Sequence, residues 1–482
     1  MLLGSRLKSI LLRALGKVPR SSDMQQRVNL KYTKTVEYLH HNQLKSRLDF
    51  SWLVYKFDEY QRNCIRRDER ERFDHTISLI NKLTALIDSK SVEQSTAKRL
   101  VAEIEQNAFW LPNWTHTQSP NYEESKNGKV IYQPSRSIEP TISFEEISGR
   151  CDALSLTNMG YFSTRQSYCI HDDLVLLEFA LLNYAMDIVK SEGFKPVEMA
   201  DTVETSVLEA CGFPLKSCSG SSAAFVIDES DNIEALSGTS EMCIAHYVST
   251  LKISEDTLPL LFTSLTRCFR PEISGSDPRG CLYRVHEFNK VEMFAVCKNS
   301  VQASDDLQYE MCKLQIKIFS DLGLCIRVLD MPTHDLGLSA YRKYDIEALF
   351  PSSGRLGEIS SCSNCTDFQS RRLGIKYSTS NSGFEYAHTI NATAMASSRV
   401  LMALVEQYYS EEEQLMKVPD MLIPYIGRST ILNTKPKSKK FFVKLLANPT
   451  GYGSVTYEQT HQKRLEGKSA RKQLLLSQKN EN

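Results

Sequence analysis

Arginines, carboxylates and hydroxyls recur at close spacing in four stretches of this chain, and each set implies a chemistry. Cys268-Phe269-Arg270-Pro271-Glu272 is followed by a Gly/Ser/Pro-rich loop and then by Leu282 to Glu292. Two such runs predict a hairpin with a long connection. Arg270 and Arg284 would then flank a polyanion from neighbouring strands, because the planar guanidinium fork donates to phosphate in pairs. Phe288 offers a flat face on which a base can stack. A lone arginine is more often one half of a surface ion pair, so neither arginine is decisive by itself.

The other three stretches carry hard oxygens. In Leu236 to Glu241, Thr239 and Glu241 lie two apart, and on an extended strand they would share a face that could hold a small ligand with amino and hydroxyl groups. Thr-x-Glu is common, so the pattern alone is weak. In Gly357 to Asp367, Glu358 and Ser361 could place oxygens on Mg2+, which usually takes one or two protein oxygens beside phosphate and water. Cys362-x-x-Cys365 invites zinc, but no second Cys/His pair lies nearby at finger spacing, so a zinc site is not expected. His388 to Arg399 runs from polar residues into a helix over Val400–Gln407, with Arg399 near its start.

These residues need a scaffold. With 482 residues, two or three domains are expected. Apolar residues make up 41% and charged residues 24%, an ordinary globular composition. Lys+Arg and Asp+Glu both number 58, which excludes a uniformly basic nucleic-acid coat and an acidic disordered chain. No apolar run approaches the roughly 20 residues of a bilayer span, so no membrane association is expected. Thirteen cysteines without framework spacing read as reduced thiols.

The zero net charge hides an asymmetry. Residues 434–482 carry 11 Lys/Arg against 3 Asp/Glu, and residues 1–22 carry 5 Lys/Arg and no acid. The body is correspondingly acidic. Arg6, Lys8, Arg13, Lys17 and Arg20 interrupt a Leu-rich segment, which predicts a basic amphipathic helix of the mitochondrial transit type. The alternative is a basic helix kept on the mature protein.

Residues 45–107 contain no Gly or Pro, and Ile77, Ile80, Leu83 and Ile87 recur at helical spacing. Two long antiparallel helices, with RRDERER (66–72) near their turn, are the simplest expectation. A helical subdomain packed on the body fits the periodicity equally well. Pro112, Pro120, Pro134 and Pro140 mark a linker. Helical and strand-like segments alternate from 145 to 430. They include helices over Leu174–Lys190 and Leu307–Leu322 and strands over Cys281–Val285, Lys290–Val296 and Leu324–Asp330. From 434 the tail is Lys-rich and reads as loosely ordered.

Taken together, the four stretches resemble the catalytic domain of class II aminoacyl-tRNA synthetases, specifically the seryl-tRNA synthetase family. FRPE with RVHEFNKVE looks like motif 2, NATAMASSRVLMALVE like motif 3, and SGTSE like the serine-specific Thr-x-Glu element. RVLDMPTHDLGLSAYRKYDIEALFP is most similar to the animal mitochondrial branch. The resemblance implies an α+β fold: the class II antiparallel sheet flanked by helices, with an N-terminal helical, coiled-coil-like arm. The implied domains are a transit peptide (1–22), a tRNA-binding arm (40–115), a catalytic domain (145–430) and a basic tail (434–482).

The resemblance also implies activation of L-serine with ATP and Mg2+, transfer to tRNA(Ser), and residence in the mitochondrial matrix. Arg270 and Arg399 would be catalytic. The serine pocket would comprise Thr239, Ser240, Glu241, Arg270, Glu292, Asn391 and Thr393, with Glu292 taking the ammonium. ATP would contact Arg270, Glu272, Arg284, Val285, Phe288, Glu358, Ser361 and Arg399, and Glu358 with Ser361 would hold Mg2+. Glu287 stands where the family has a neutral or basic side chain, which would put a carboxylate near the triphosphate. Residues Phe194–Cys211 resemble motif 1 and imply a homodimer, or a heterodimer with a paralogous synthetase. The alternative function is an inactive synthetase-like protein that acts by dimerising or by binding RNA.

Overall fold

The structure, a computed structural model, describes residues 30–434 apart from 43–47, 90–93, 122–124, 134–137, 157–165, 216–222, 228–233, 273–276 and 382. The expected leader (1–22) and the tail beyond 434 lie outside the described residues. The chain divides into units 1–433 and 434–482, and only the first is described here.

An eight-stranded sheet organises this unit. Its strands are β1 (Lys129–Tyr132), β2 (Lys195–Pro196), β3 (Leu260–Phe269), β4 (Glu287–Cys297), β5 (Ile326–Asp330), β6 (Arg342–Phe350), β7 (Arg355–Thr366) and β8 (His388–Ala396). The order across the sheet is β1-β5-β6-β7-β8-β4-β3-β2, antiparallel except for the β2–β3 pair. This is the expected α+β architecture.

Alternation along the central strands separates two chemistries. On β4, Val291, Met293 and Ala295 join the main core with Ile390, Ala392 and Ala394 of β8. Lys290 and Glu292, like Asn391 and Thr393, have the opposite parity and line a pocket. Every residue of β8 is buried, so its polar side chains are held by protein partners rather than water.

Helices cover the apolar face. The expected helices appear as α5 (Asp172–Ser191) and α7 (Val301–Asp321). Ser300 caps α7, its hydroxyl accepting from the Ala303 amide at 3.3 Å. α9 (Ser397–Tyr408) follows β8 directly and places Arg399 in its first turn, as expected. Two further helices, α6 (Ser240–Ser249) and α8 (Phe368–Leu373), stand beside the pocket. Cys281–Val285 is not a strand; it belongs to the long connection between β3 and β4. Among the described residues, no helix is long and apolar enough to cross a membrane.

The N-terminal region has its own core, built from residues such as Leu39, Leu53, Phe73, Ile80, Leu83 and Ile104. Its elements are α1 (Thr33–Asn42), α2 (Phe57–Arg66), α3 (Arg70–Asp88) and α4 (Gln94–Ala108). The expected turn near 66–72 is present, but in place of one long helix on each side of it stand the shorter helices α1 and α2 before it and α3 and α4 after it. The chain turns at Asp68, whose φ of 59° lies in the left-handed region that short polar side chains tolerate. The second sequence expectation describes this region: a helical subdomain packed on the body. Arg372 Nη2, for example, donates to Phe109 O at 2.7 Å.

Candidate functional site

β4, β7 and β8 open onto a pocket of about 310 Å3. It gathers Thr239, Glu241, Arg270, Phe288, Glu292, Glu358, Ser361, Asn391, Thr393 and Arg399, residues that lie 160 positions apart at the extremes. Glu272 and Arg284 line an adjoining cavity that also includes Arg270. Two expected residues do not reach the pocket by their side chains. Ser240 is buried in the first turn of α6, and Val285 is buried in the main core.

One end is polar and closed. Thr393 sits directly opposite Glu292 in the β8–β4 register, and its hydroxyl donates to Glu292 Oε2 at 3.0 Å. Lys290, on the same face, holds its Nζ 2.6 Å from Glu292 Oε2 and 2.6 Å from Thr239 Oγ1. Thr239 and Glu241 are not on a strand. Thr239 is the N-cap of α6, its backbone extended and its hydroxyl accepting from the Glu241 amide at 3.4 Å. The Glu241 carboxylate accepts from Gln369 Nε2 at 2.6 Å, and Gln369 Oε1 in turn accepts from Thr389 Oγ1 at 2.7 Å. Burial, and then the neighbouring Glu292, push the Glu241 carboxyl up to about 7. Asn391 Oδ1 accepts from Cys365 Sγ at 3.6 Å. This end can hold an ammonium beside carboxylates and a hydroxyl among hydroxyl and amide groups.

The other end is rich in arginine. Arg270 lies with its guanidinium 5.5 Å from the Phe288 ring centre, while its Nε donates to Gly238 O at 3.4 Å. Arg284 pairs with Glu272 at 2.9 Å and with Asp277 at 3.4 Å. Arg279 makes a two-pronged pair with Asp277, both contacts at 2.7 Å. Arg279 and Arg399 lie 3.8 and 4.5 Å from the centre of the Tyr283 ring. The Tyr283 hydroxyl donates to Glu358 O at 3.0 Å. Gly357 is required there: a Cβ would lie 2.7 Å from Arg279 and 2.8 Å from the Tyr283 ring.

Glu358 and Ser361 are three apart, which on a regular strand would put them on opposite faces. Ile346 pairs with Ser360 but Glu347 pairs with Glu358, so Ile359 is the extra residue of a bulge. The bulge returns both side chains to the pocket. Desolvation alone would raise the Glu358 carboxyl, but Arg399, Lys343 and Arg270 outweigh it and hold it down to about 2. A permanently ionised carboxylate beside a hydroxyl fits a hard cation such as Mg2+. Arg399 already faces that carboxylate, at 3.3 Å.

Glu287 does not approach the arginine-rich end. It lies on the opposite face of β4 from Phe288, Lys290 and Glu292 and pairs with Arg267 at 3.4 Å. The charges of 66–72 are largely partnered within the protein. Arg70 pairs with Asp74 at 3.6 Å, Arg72 pairs with Glu69 at 2.9 Å, and Arg67 is buried.

The sequence reading missed Lys290, Lys343 and Gln369. Lys290 stands two residues before Glu292, and Lys343 two before Asp345, to which it pairs at 2.9 Å. In both cases strand parity was the available signal. Gln369 lies on a short helix and carries no spacing signal.

Residues 225–408 match the family described as tRNA synthetase class II core domain (G, H, P, S and T). The chain is similar to the mitochondrial serine–tRNA ligase of Mus musculus, 38% identical over 340 residues that cover 69% of this chain and 64% of the mouse protein. Less than two thirds of that relative's length is thus matched. The chain is also similar to the serine–tRNA ligase of Treponema denticola, 32% identical over 386 residues covering 74% of this chain and 88% of that protein. In fold it is similar to the Naegleria fowleri cytoplasmic serine–tRNA ligase solved with AMP. That likeness has a TM-score of 0.68 at 24% identity, covering 78% of this chain and 96% of the other.

Proposed function

The chain belongs to the seryl-tRNA synthetase family of class II enzymes, and from that premise we propose that it activates L-serine with ATP and transfers the seryl group to tRNA(Ser) in the mitochondrion. The observation that carries this reading is the pocket's division. Carboxylates and hydroxyls meet at its closed end, and arginines with an aromatic face stand at its open end.

In this reading the serine ammonium is taken by Glu292, and its hydroxyl lies toward Thr393 and Asn391. Thr239 and Glu241 complete that end. Arg270 grips the α-phosphate and the serine carboxylate. Phe288 stacks on adenine, Glu272 reads the adenine amino group, and Arg284 and Arg399 hold the outer phosphates. Glu358 and Ser361 would hold Mg2+, which neutralises phosphate charge when bound.

No side-chain nucleophile is needed. A serine carboxylate oxygen forms a bond to the α-phosphorus, and the α–β phosphate bond breaks to release pyrophosphate. A hydroxyl at the tRNA 3′ end then attacks the seryl carbonyl, and AMP leaves. Catalysis consists of positioning and of neutralising the charge that develops on phosphate.

The resemblance to mitochondrial enzymes and the basic leader support a mitochondrial matrix location. The helical subdomain (within 40–115) would orient the tRNA, and the tail would add salt-dependent attraction to its backbone. A dimer, with a second copy or a paralogue, would cover Leu176 and Phe179 of α5 and Leu265 of β3, all exposed. Serine-dependent exchange of labelled pyrophosphate into ATP tests the proposal. Exchange with serine is the expected result, and none at micromolar enzyme would overturn it in favour of an inactive paralogue.

A further inference from the structure

Five consecutive carbonyls, from Leu336 to Ala340, are held by two residues of the N-terminal region. Arg67 Nη2 donates to Leu336 O at 3.2 Å and to Gly337 O at 2.5 Å, and its Nη1 donates to Ala340 O at 3.1 Å. The Asn113 backbone amide donates to Leu338 O at 2.8 Å, and its Nδ2 donates to Ser339 O at 2.9 Å. Both residues are buried, and no carboxylate pairs with Arg67 among the described residues. Burial lowers the Arg67 guanidinium to about 10, so it stays charged near neutrality, with the carbonyl dipoles as its counter-charge.

The clasp is tied to the N-terminal region on its other side. Arg67 Nη1 also donates to Thr115 Oγ1 at 3.2 Å, and Asn63 Nδ2 donates to Asn113 O at 3.0 Å. On the pocket side, Gly337, Ser339 and Ala340 line the cavity that gathers Glu241, Glu292 and Asn391 at one end and Arg270, Phe288 and Arg399 at the other. Asn113 Nδ2 also reaches Cys365 O at 2.8 Å, and the Cys365 thiol donates to Asn391. Among the described residues, no hydrogen bond joins 336–340 to Arg270, Arg284 or Phe288.

We propose that Arg67 and Asn113 are positioning residues for the amino-acid end of the pocket, fixing the 336–340 wall from the helical subdomain. The proposal rests on the reading of that end as the serine site. It also gives RRDERER a structural role: its one buried arginine ties the helical subdomain to the chemistry. A wall displaced by a fraction of an ångström changes the fit of a small amino acid far more than that of the nucleotide, which is gripped elsewhere.

The test is pyrophosphate exchange by the full chain and by Arg67→Lys, Arg67→Ala and Asn113→Ala, with serine and ATP varied separately. Arg67→Ala is expected to raise KM for serine about tenfold, Arg67→Lys about threefold, and both to leave KM for ATP within about twofold. Unchanged serine KM, or serine and ATP KM rising together, would overturn the proposal. Arg67→Lys serves if the alanine variant does not fold. If the wild-type chain shows no exchange, the functional reading fails separately, and amide hydrogen exchange across 336–341 then decides the clasp. Exchange about tenfold faster in Arg67→Lys, confined to that segment, supports it, and unchanged exchange refutes it.

Discussion

Lys290 holds its ammonium 2.6 Å from the Glu292 carboxylate, at the position where the proposed mechanism places the ammonium of serine. Both side chains are almost fully buried. Removing one partner of such a pair leaves a buried charge uncompensated, at a cost of about 3–5 kcal/mol. Lys290→Met should therefore lower the unfolding free energy by about that much in denaturant titration. Serine would then supply the missing cation, so it should raise the melting temperature of Lys290→Met more than that of the wild type. An equal or smaller serine-induced shift in the variant would count against Glu292 as the ammonium site.

Arg270→Ala and Arg399→Ala should each reduce serine-dependent exchange at least about 100-fold, because each removes charge-assisted contacts to phosphate worth about 1.5–3 kcal/mol before any gain in the transition state. Circular dichroism should show the fold retained in both. A normal exchange rate in either variant would refute its assigned role.

Glu241 gives a pH dependence of defined sign. Its folded-state carboxyl is raised to about 7, whereas an unfolded Glu titrates near ~4.3. Between those values the native state binds the extra proton, so this group's contribution falls as pH rises through that window and levels off above it. Glu241→Gln should therefore gain stability relative to wild type as pH rises from 5 to 8. Asp345, raised to about 7 by burial, drifts the same way in both proteins and cancels in the difference. A difference that does not vary with pH would contradict the buried, ionisable Glu241 described here.

Glu358→Gln removes the charge proposed to hold Mg2+ while keeping the side-chain shape. The Mg2+ concentration for half-maximal exchange should rise by about tenfold, and chelation should abolish exchange in both proteins until Mg2+ is returned. An unchanged Mg2+ requirement would place the cation elsewhere.

The legibility of this site follows strand parity. Asn391 and Thr393 were named together by the family resemblance, and they lie two apart on β8, so alternation along the strand carries both into the pocket. Glu358 with Ser361 was paired on the chemistry of hard oxygens, and no local signal announces the bulge at Ile359 that brings the two to one face. Thr239 and Glu241 were read as a strand although a Thr followed by an acid two residues later suits a helix N-terminus. Arg67 was the hardest. Its neighbours are charged and mostly exposed, and only tertiary packing reveals that its partners are carbonyls some 270 residues away.

The most direct measurement of the central claim is transfer of labelled serine to a tRNA(Ser) transcript by the purified chain with ATP and Mg2+, with Arg270→Ala as the negative control. The account predicts acid-stable label on the tRNA that depends on ATP and on serine and is absent with Arg270→Ala. A wild-type protein that binds the transcript but leaves it uncharged, no better than the control, would contradict it.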